Sequence, residues 1–425
     1  MTTPIATDRP FTHPDRRTRE MISSPTSAEH TPDALGTATA LSGTADDAHF
    51  LLCRNTYHVI GMGKSTVYRS AEAAASALRD GAVTAVVGAL PFDIREQVSL
   101  IAPDRIELHH GRWIPQTVAL GDHRAGRPVA QSRIVAAVPS PADHRRRIAT
   151  AIDRLADPHD ALAKVVLARA LTVHSAVPVT GWEVAARLRT IDPRGSVFVT
   201  DLPGPTSGSL SQLVGASPEV LIRKRGNIVS AYPLAGSSAR LTDPQLDAEQ
   251  GRALANSTKD RTEHRFVVDA LRAALAPLCR TLDVPDEPEL MTTPTMWHLG
   301  TPIRGEIADP STTALDLAMA VHPTPAICGT PTDLARDHIV ATEGRRGFYA
   351  GAIGWAGAPT RGRDGTIVAG DGEWMVAIRC AEIAPGGREI TTWAGGGIVA
   401  DSDPDTELAE TDAKFATILA ALGIR

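Results

Sequence analysis

The sequence predicts an α+β domain whose sheets are mainly antiparallel. Short β-rich runs alternate with amphipathic helical stretches from the middle of the chain to its end. Neighbouring strands form hairpin-like pairs, such as Glu219–Ile222 and Ile228–Tyr232 around Arg223–Asn227. No low-complexity linker divides residues 45–425, so one large domain is expected over 43–425.

The elements follow in order. His49–Leu52 is the first strand-like run, and a turn then leads into a helix over Ser70–Leu78. Further strands are expected at Val165–Leu171, Val197–Thr200, Glu219–Ile222, Ile228–Tyr232, Trp374–Cys380 and Ile390–Ala394. Helices are expected at Ser140–Leu155, Trp182–Leu188, Pro244–Leu282, Thr313–Ala320 and Asp405–Leu422. Pro/Gly/Asp-rich pieces at Asp201–Pro205 and Ala358–Gly372 read as loops. Residues 1–42 are rich in Thr, Pro, Ser, Asp and Arg without periodicity. They read as a disordered tail, with Met21 a possible start.

Composition excludes several classes. The 425 residues are 43% hydrophobic and 22% charged, as in an ordinary globular protein. A net charge of −6 and the absence of a Lys/Arg cluster with interleaved aromatics argue against nucleic-acid binding. The four cysteines have no C-x-x-C or Cys/His ligand spacing, so no disulfide framework is expected and a reducing cytoplasm is the default. No apolar run approaches the roughly 20 residues needed to cross a bilayer. Arg9, Arg16 and Arg17 are not followed by the apolar core of a secretory signal.

Some motif fragments fail. Gly61-Met62-Gly63-Lys64-Ser65-Thr66 resembles the end of a P-loop, but His58 stands where its first glycine belongs. Gly395-Gly396-Gly397 follows a predicted strand without dinucleotide-binding spacing. No H-E-x-x-H occurs, and His109-His110 reads as surface.

Three placements put charge among apolar residues. Glu263 shares a helical stripe with Phe266, Val267, Ala270, Leu271 and Ala274, although a glutamate near a helix N-terminus accounts for it when taken alone. Glu407, Glu410 and Lys414 share one face of the last helix, where a solvated Glu410–Lys414 pair is the plainer reading. Together the three glutamates form a donor set suited to a hard cation such as Mg2+. Lys164 opens an apolar strand and Glu219 stands at the start of another. Each is an edge charge if it points out and an acid–base group if it points in.

At these residues the sequence resembles the chorismate-utilising enzymes over about residues 130–425. The ordered segments include Lys164–Arg169, Gly215–Glu219, Pro233–Ser237, Lys259–His264 and Trp297–Pro302. They continue through His322–Ala326, Gly351–Trp355, Ala377–Cys380, Ala394–Val399 and Glu407–Thr411. The resemblance implies a single chorismate-binding domain, a β-rich sandwich with helices on its outer faces. It also implies that Lys164 activates water and Glu219 protonates the departing hydroxyl. Glu263 and Glu410 would ligate Mg2+, supported by Glu407. Arg379 and Lys414 would bind substrate carboxylate, Gly236 and Gly395 would bring backbone to the substrate, and Tyr349, Ala235 and Ser237 would line the pocket. His298 lies in a family motif without an assigned role.

Lys164 resembles the water-using rather than the ammonia-using branch, so no glutamine amidotransferase partner is expected. The segments Pro233–Ser237 and His322–Ala326 resemble isochorismate synthases, whose product serves siderophore or menaquinone synthesis. Gly300, where some of them carry alanine, keeps a salicylate-forming activity open. A non-catalytic chorismate-binding protein would need a broken set of site residues. Chorismate is the only partner expected, and the chain is expected to be a cytoplasmic monomer.

Overall fold

The run Phe50–Cys53 is buried on both faces, and this reveals the architecture. In the computed structural model the described residues are 47–114, 132–193, 195–292, 296–362, 364 and 366–424. The predicted tail and the choice between Met1 and Met21 lie outside them. Phe50 and Leu52 point into a core shared with Val86, Val87, Ile222 and Trp374 of a second sheet. Leu51 and Cys53 point the other way, to Val184 and Leu188 of helix Gly181–Ile191 and Ile418 of helix Pro404–Ala421. Strand side chains alternate between faces, so a sheet covered on both sides needs an unbroken apolar run. Each such side chain stabilises the fold by roughly 1.5–3 kcal/mol.

The first sheet runs Gly329–Thr330, Lys164–Ser175, Glu389–Ile398, Cys380–Ile383, Leu210–Ser217, Ser196–Pro203, Ala48–Cys53, Tyr57–Met62 and Arg105–His110. Ser132–Val138 also pairs with the Lys164 strand. The second runs Cys279–Asp283, Ile303–Ile307, Ile228–Ala231, Val220–Arg225, Gly372–Val376, Ala352–Gly357, Ala85–Leu90, Ser99–Ala102 and Thr66–Tyr68. Neighbours are antiparallel, as in Lys164–Ser175 with Glu389–Ile398 and Val220–Arg225 with Gly372–Val376. The α+β sandwich with helices outside is thus the observed fold. The predicted hairpin is present, its strands meeting at Arg225 and Ile228 across Gly226 at φ +52°.

Local chemistry sets the helix ends. Thr180 and Glu183 form a reciprocal capping box, and Ser140 and Asp403 cap helices that begin with Pro141 and Pro404.

Five expectations need correction. Asp201–Pro205 is not all loop, because strand Ser196–Pro203 runs through its first three residues, and Ala358–Gly372 contains the paired strands Thr360–Arg361 and Ile367–Val368. Pro244–Leu282 is two helices, Pro244–Asn256 and Thr258–Leu275, followed by strand Cys279–Asp283. Ser257 breaks the helix in an extended conformation, and its hydroxyl accepts from the Asp260 N–H. Trp374–Cys380 is not one strand. Gly372–Val376 lies in one sheet and Cys380–Ile383 in the other. The three glycines do not follow a strand but lie inside Glu389–Ile398.

A third, three-stranded sheet has the order Leu234–Ala239, Met296–Gly300, Glu289–Thr292. It packs on helices Pro244–Asn256 and Thr258–Leu275. The described residues belong to one compact unit, Thr44–Arg425. No helix among them is long and apolar enough to cross a membrane.

Candidate active site

Two of the places where the chain passes from one large sheet to the other carry a charged side chain. Glu219 lies between Leu210–Ser217 and Val220–Arg225, one residue before the strand it was expected to open. Arg379 lies between Gly372–Val376 and Cys380–Ile383. The crossings are tied together where Val376 N–H donates to Glu219 carbonyl at 3.1 Å and Ala216 N–H donates to Arg379 carbonyl at 3.0 Å. Arg379 adopts φ +51°, a left-handed conformation that costs a non-glycine residue on the order of 1 kcal/mol.

All the candidate site residues except Glu407 line one cavity, of about 970 Å³ counted to its open mouth. Lys164, Glu219, Glu263, Arg379, Glu410 and Lys414 supply its charge. Ala235, Gly236, Ser237, Tyr349 and Gly395 complete the candidate set.

Lys164 points inward and is only 3% exposed, so it is not an edge guard. Its Nζ lies 3.6 Å from Glu263 Oε2. Gly397 makes room, because a Cβ there would sit 3.0 Å from Lys164 Cε and 3.5 Å from Glu263 Oε2. Burial pulls the Lys164 pKa below its ordinary value and pushes the Glu263 carboxyl up. An ion pair alone would do the opposite to both, so desolvation outweighs their attraction.

Glu219 is buried, and its backbone N–H donates to Ser217 Oγ at 3.2 Å. Burial raises its pKa to about 7, against the pull of Lys164 and Lys414. The cavity therefore holds a lysine biased toward its neutral amine and a glutamate biased toward its acid. That is the pairing general base and general acid chemistry needs.

Lys414, Tyr349 and Gly395 line the same cavity. Lys414 Nζ bridges Glu410 Oε1 at 2.5 Å and the Gly395 carbonyl at 2.8 Å. Tyr349 stacks on Trp393 at 5.7 Å between centroids and is kept neutral by burial. A Cβ at Gly395 would lie 3.0 Å from the Tyr349 hydroxyl. Gly236 has φ +77°, which glycine adopts without penalty.

Glu407 stands behind the cavity. Ser402 Oγ donates to its Oε1 at 2.7 Å and Lys259 Nζ lies 3.8 Å away, while its buried Oε2 has no hydrogen-bond partner. Burial raises the Glu407 pKa, with Glu410 and Glu263 adding repulsion. Burial also acts to raise that of Glu410, but Lys414, Lys259 and Arg379 outweigh it and leave it lowered. Among the described residues no three such groups already close around one point, and each of these carboxylates leans on an ammonium instead. The donor set still fits a divalent cation: three mutually repelling carboxylates, all hard oxygens, one of them an orphan.

Several contributors escaped sequence reasoning. Gly397 and Gly396 carried a signal, because glycine inside a strand marks close approach. A Cβ at Gly396 would meet Glu407 Oε2 at 3.0 Å. His298 lines the cavity and is neutral, its pKa pushed down to about 4 by burial, with Arg379 and Lys414 adding to it. Ser402 carried no signal. Gly300 is absent from the cavity lining, and its lack of a side chain is explained by Tyr232, whose ring a Cβ would meet at 2.6 Å.

Comparison with known proteins identifies the family. Residues 112–423 match the family model described as chorismate binding enzyme. A Mycobacterium tuberculosis protein provisionally named isochorismate synthase MenF is 45% identical over 88% of this chain and 96% of its own. Isochorismate synthase DhbC of Bacillus subtilis is 42% identical over 80% of this chain and 81% of its own. The menaquinone-specific isochorismate synthase MenF of Escherichia coli superposes with a TM-score of 0.73 at 25% identity, covering 92% of both chains. On the matched length and these identities, the chain belongs to the chorismate-binding enzyme family.

Proposed function

We propose that the protein is an isochorismate synthase, converting chorismate to isochorismate with Mg2+. The observation that carries this reading is Lys164, a buried amine sharing a cavity with the acid Glu219. The names of the M. tuberculosis, B. subtilis and E. coli relatives support it.

Chorismate carries two carboxylates, which Arg379 and Lys414 neutralise and orient. The backbone at Gly236 and Gly395 lies against the ring, with Ala235, Ser237 and Tyr349 as packing. A water oxygen then bonds to ring carbon 2 while Lys164 Nζ takes its proton. The double bonds shift, the bond from carbon 4 to its hydroxyl breaks, and Glu219 gives that hydroxyl a proton. One water enters and one leaves, so atoms and charge balance. Glu263 and Glu410 would hold Mg2+, with Glu407 behind them. When bound, the ion offsets charge on the ring carboxylate.

Product analysis after incubation with chorismate and Mg2+ tests the reading. Isochorismate as the main product is expected, and salicylate with pyruvate would contradict it. For the metal, Glu407→Gln is expected to raise the half-saturating Mg2+ concentration by about tenfold, the scale of outer-shell losses, with the chorismate KM unchanged. Mg2+ titrations of activity and of thermal midpoint check this, and an unchanged Mg2+ dependence would remove Glu407 from the metal's support.

A further inference from the structure

We propose that Asp247 is a positioning residue, whose carboxylate clasps the back of the cavity wall formed by Ala235, Gly236, Ser237 and His298. The proposal rests on the chorismate reading above.

This wall belongs to neither large sheet. It is the three-stranded sheet, carried on helices Pro244–Asn256 and Thr258–Leu275. In its register Ser237 pairs with His298 and Ser238 with Trp297. Successive strand residues face opposite sides. Ser237 and His298 accordingly line the cavity. Ser238 Oγ accepts from Gln250 of helix Pro244–Asn256, and Trp297 lies against Gly251 of that helix. A Cβ at Gly251 would be 3.0 Å from the indole, so glycine is what lets the helix come this close.

At this rear face one carboxylate gathers the donors. Asp247 is 6% exposed. Arg240 Nε donates to its two oxygens at 3.0 and 2.8 Å, and Arg240 Nη2 lies at 2.7 Å. Leu241 N–H donates at 2.8 Å and Trp297 Nε1 at 3.0 Å. The Arg240 guanidinium also lies over the Trp297 ring, 4.8 Å from its centroid. Arg240 and Leu241 leave the first strand, Trp297 is in the middle strand, and Asp247 is on the helix. One side chain therefore ties three elements together, directly behind His298. Its hydrogen bond with Arg240 holds the Asp247 carboxyl well below the usual carboxylate range.

Lys164 and Glu219 sit on the large sheets and their crossings, outside this clasp. A loosened wall should thus weaken substrate binding and spare the acid–base chemistry. Steady-state kinetics across pH on the full chain, with chorismate and Mg2+, test this. Asp247→Asn is expected to raise KM about tenfold, with kcat within about threefold and an unshifted kcat–pH profile, the pattern of lost uniform binding. Trp297→Phe removes one donor and is expected to raise KM about threefold. A general loss of folded enzyme would lower apparent kcat and leave KM in place. Unchanged KM in both variants, or a fall in kcat at constant KM, would overturn the proposal. If Asp247→Asn does not fold, Trp297→Phe decides alone, and an unchanged KM overturns the clasp. Failure of the wild-type protein to turn over chorismate would instead strike the functional reading.

Discussion

Lys164→Ala should lower kcat by on the order of 10²–10⁴, the usual contribution of a general base, while chorismate still binds. The expectation rests on where the amine sits. It is 3% exposed, 3.6 Å from one carboxylate, and biased by burial toward the form that accepts a proton. Truncation leaves the half-buried Glu263 without the Lys164 ammonium, so its carboxyl should stay protonated to higher pH than in the wild type. The acid limb of the kcat/KM–pH profile, where Lys164 becomes protonated and ceases to be a base, should be absent from the residual activity. Steady-state kinetics between pH 5 and 9 would show both effects. A variant turning over near the wild-type rate would remove Lys164 as the base.

Glu219→Gln should lower kcat on a similar scale, on the order of 10²–10⁴, and should also make the protein more stable at alkaline pH. The sign follows from linkage. Folding raises the Glu219 pKa from its ordinary 4.5 to about 7. Below 4.5 the group is protonated in both states and adds nothing. As pH rises from 4.5 to about 7 the unfolded chain ionises freely while the folded protein resists, so stability falls. At about 1.4 kcal/mol for each pH unit of that interval, the wild type loses roughly 3 kcal/mol, which an uncharged glutamine does not lose. Denaturant unfolding at pH 4 and pH 8 would read this as a gain for the variant at pH 8 only. In the wild type the same ionisation should set an alkaline limb in kcat/KM near pH 7, because only protonated Glu219 can donate. Equal stability of the two proteins at pH 8 would mean that Glu219 is not held as an acid.

Much of the fold was legible because pattern reports burial. Phe50–Cys53 is apolar at every position, and every position is covered by either the second sheet or a helix. Boundaries were less legible where one residue decides them. Nothing in the apolar pattern of Trp374–Cys380 announces that Arg379 turns to φ +51° and sends the chain into the other sheet. Ser257 carries a cap signal, but the helical periodicity on either side outweighed it in the sequence.

The site divided along similar lines. Residue chemistry alone left Lys164, Glu219 and Glu263 as edge charges. Lys164 is turned inward by sheet register, with Gly397 leaving space for it and its carboxylate, while Glu263 is placed by helix Thr258–Leu275 and Glu219 by a crossing between the sheets. The resemblance to chorismate-utilising enzymes supplied the grouping that spacing could not. Ser402 and the Asp247 clasp had no sequence signature, because each depends on elements brought together only by the fold.

The central claim is that water, activated by Lys164, becomes the new hydroxyl at carbon 2. Turnover of chorismate with Mg2+ in ¹⁸O-labelled water tests it most directly. The account predicts isochorismate carrying one heavy oxygen, on carbon 2. Unlabelled isochorismate would show that the original hydroxyl migrates within the substrate, and would contradict it.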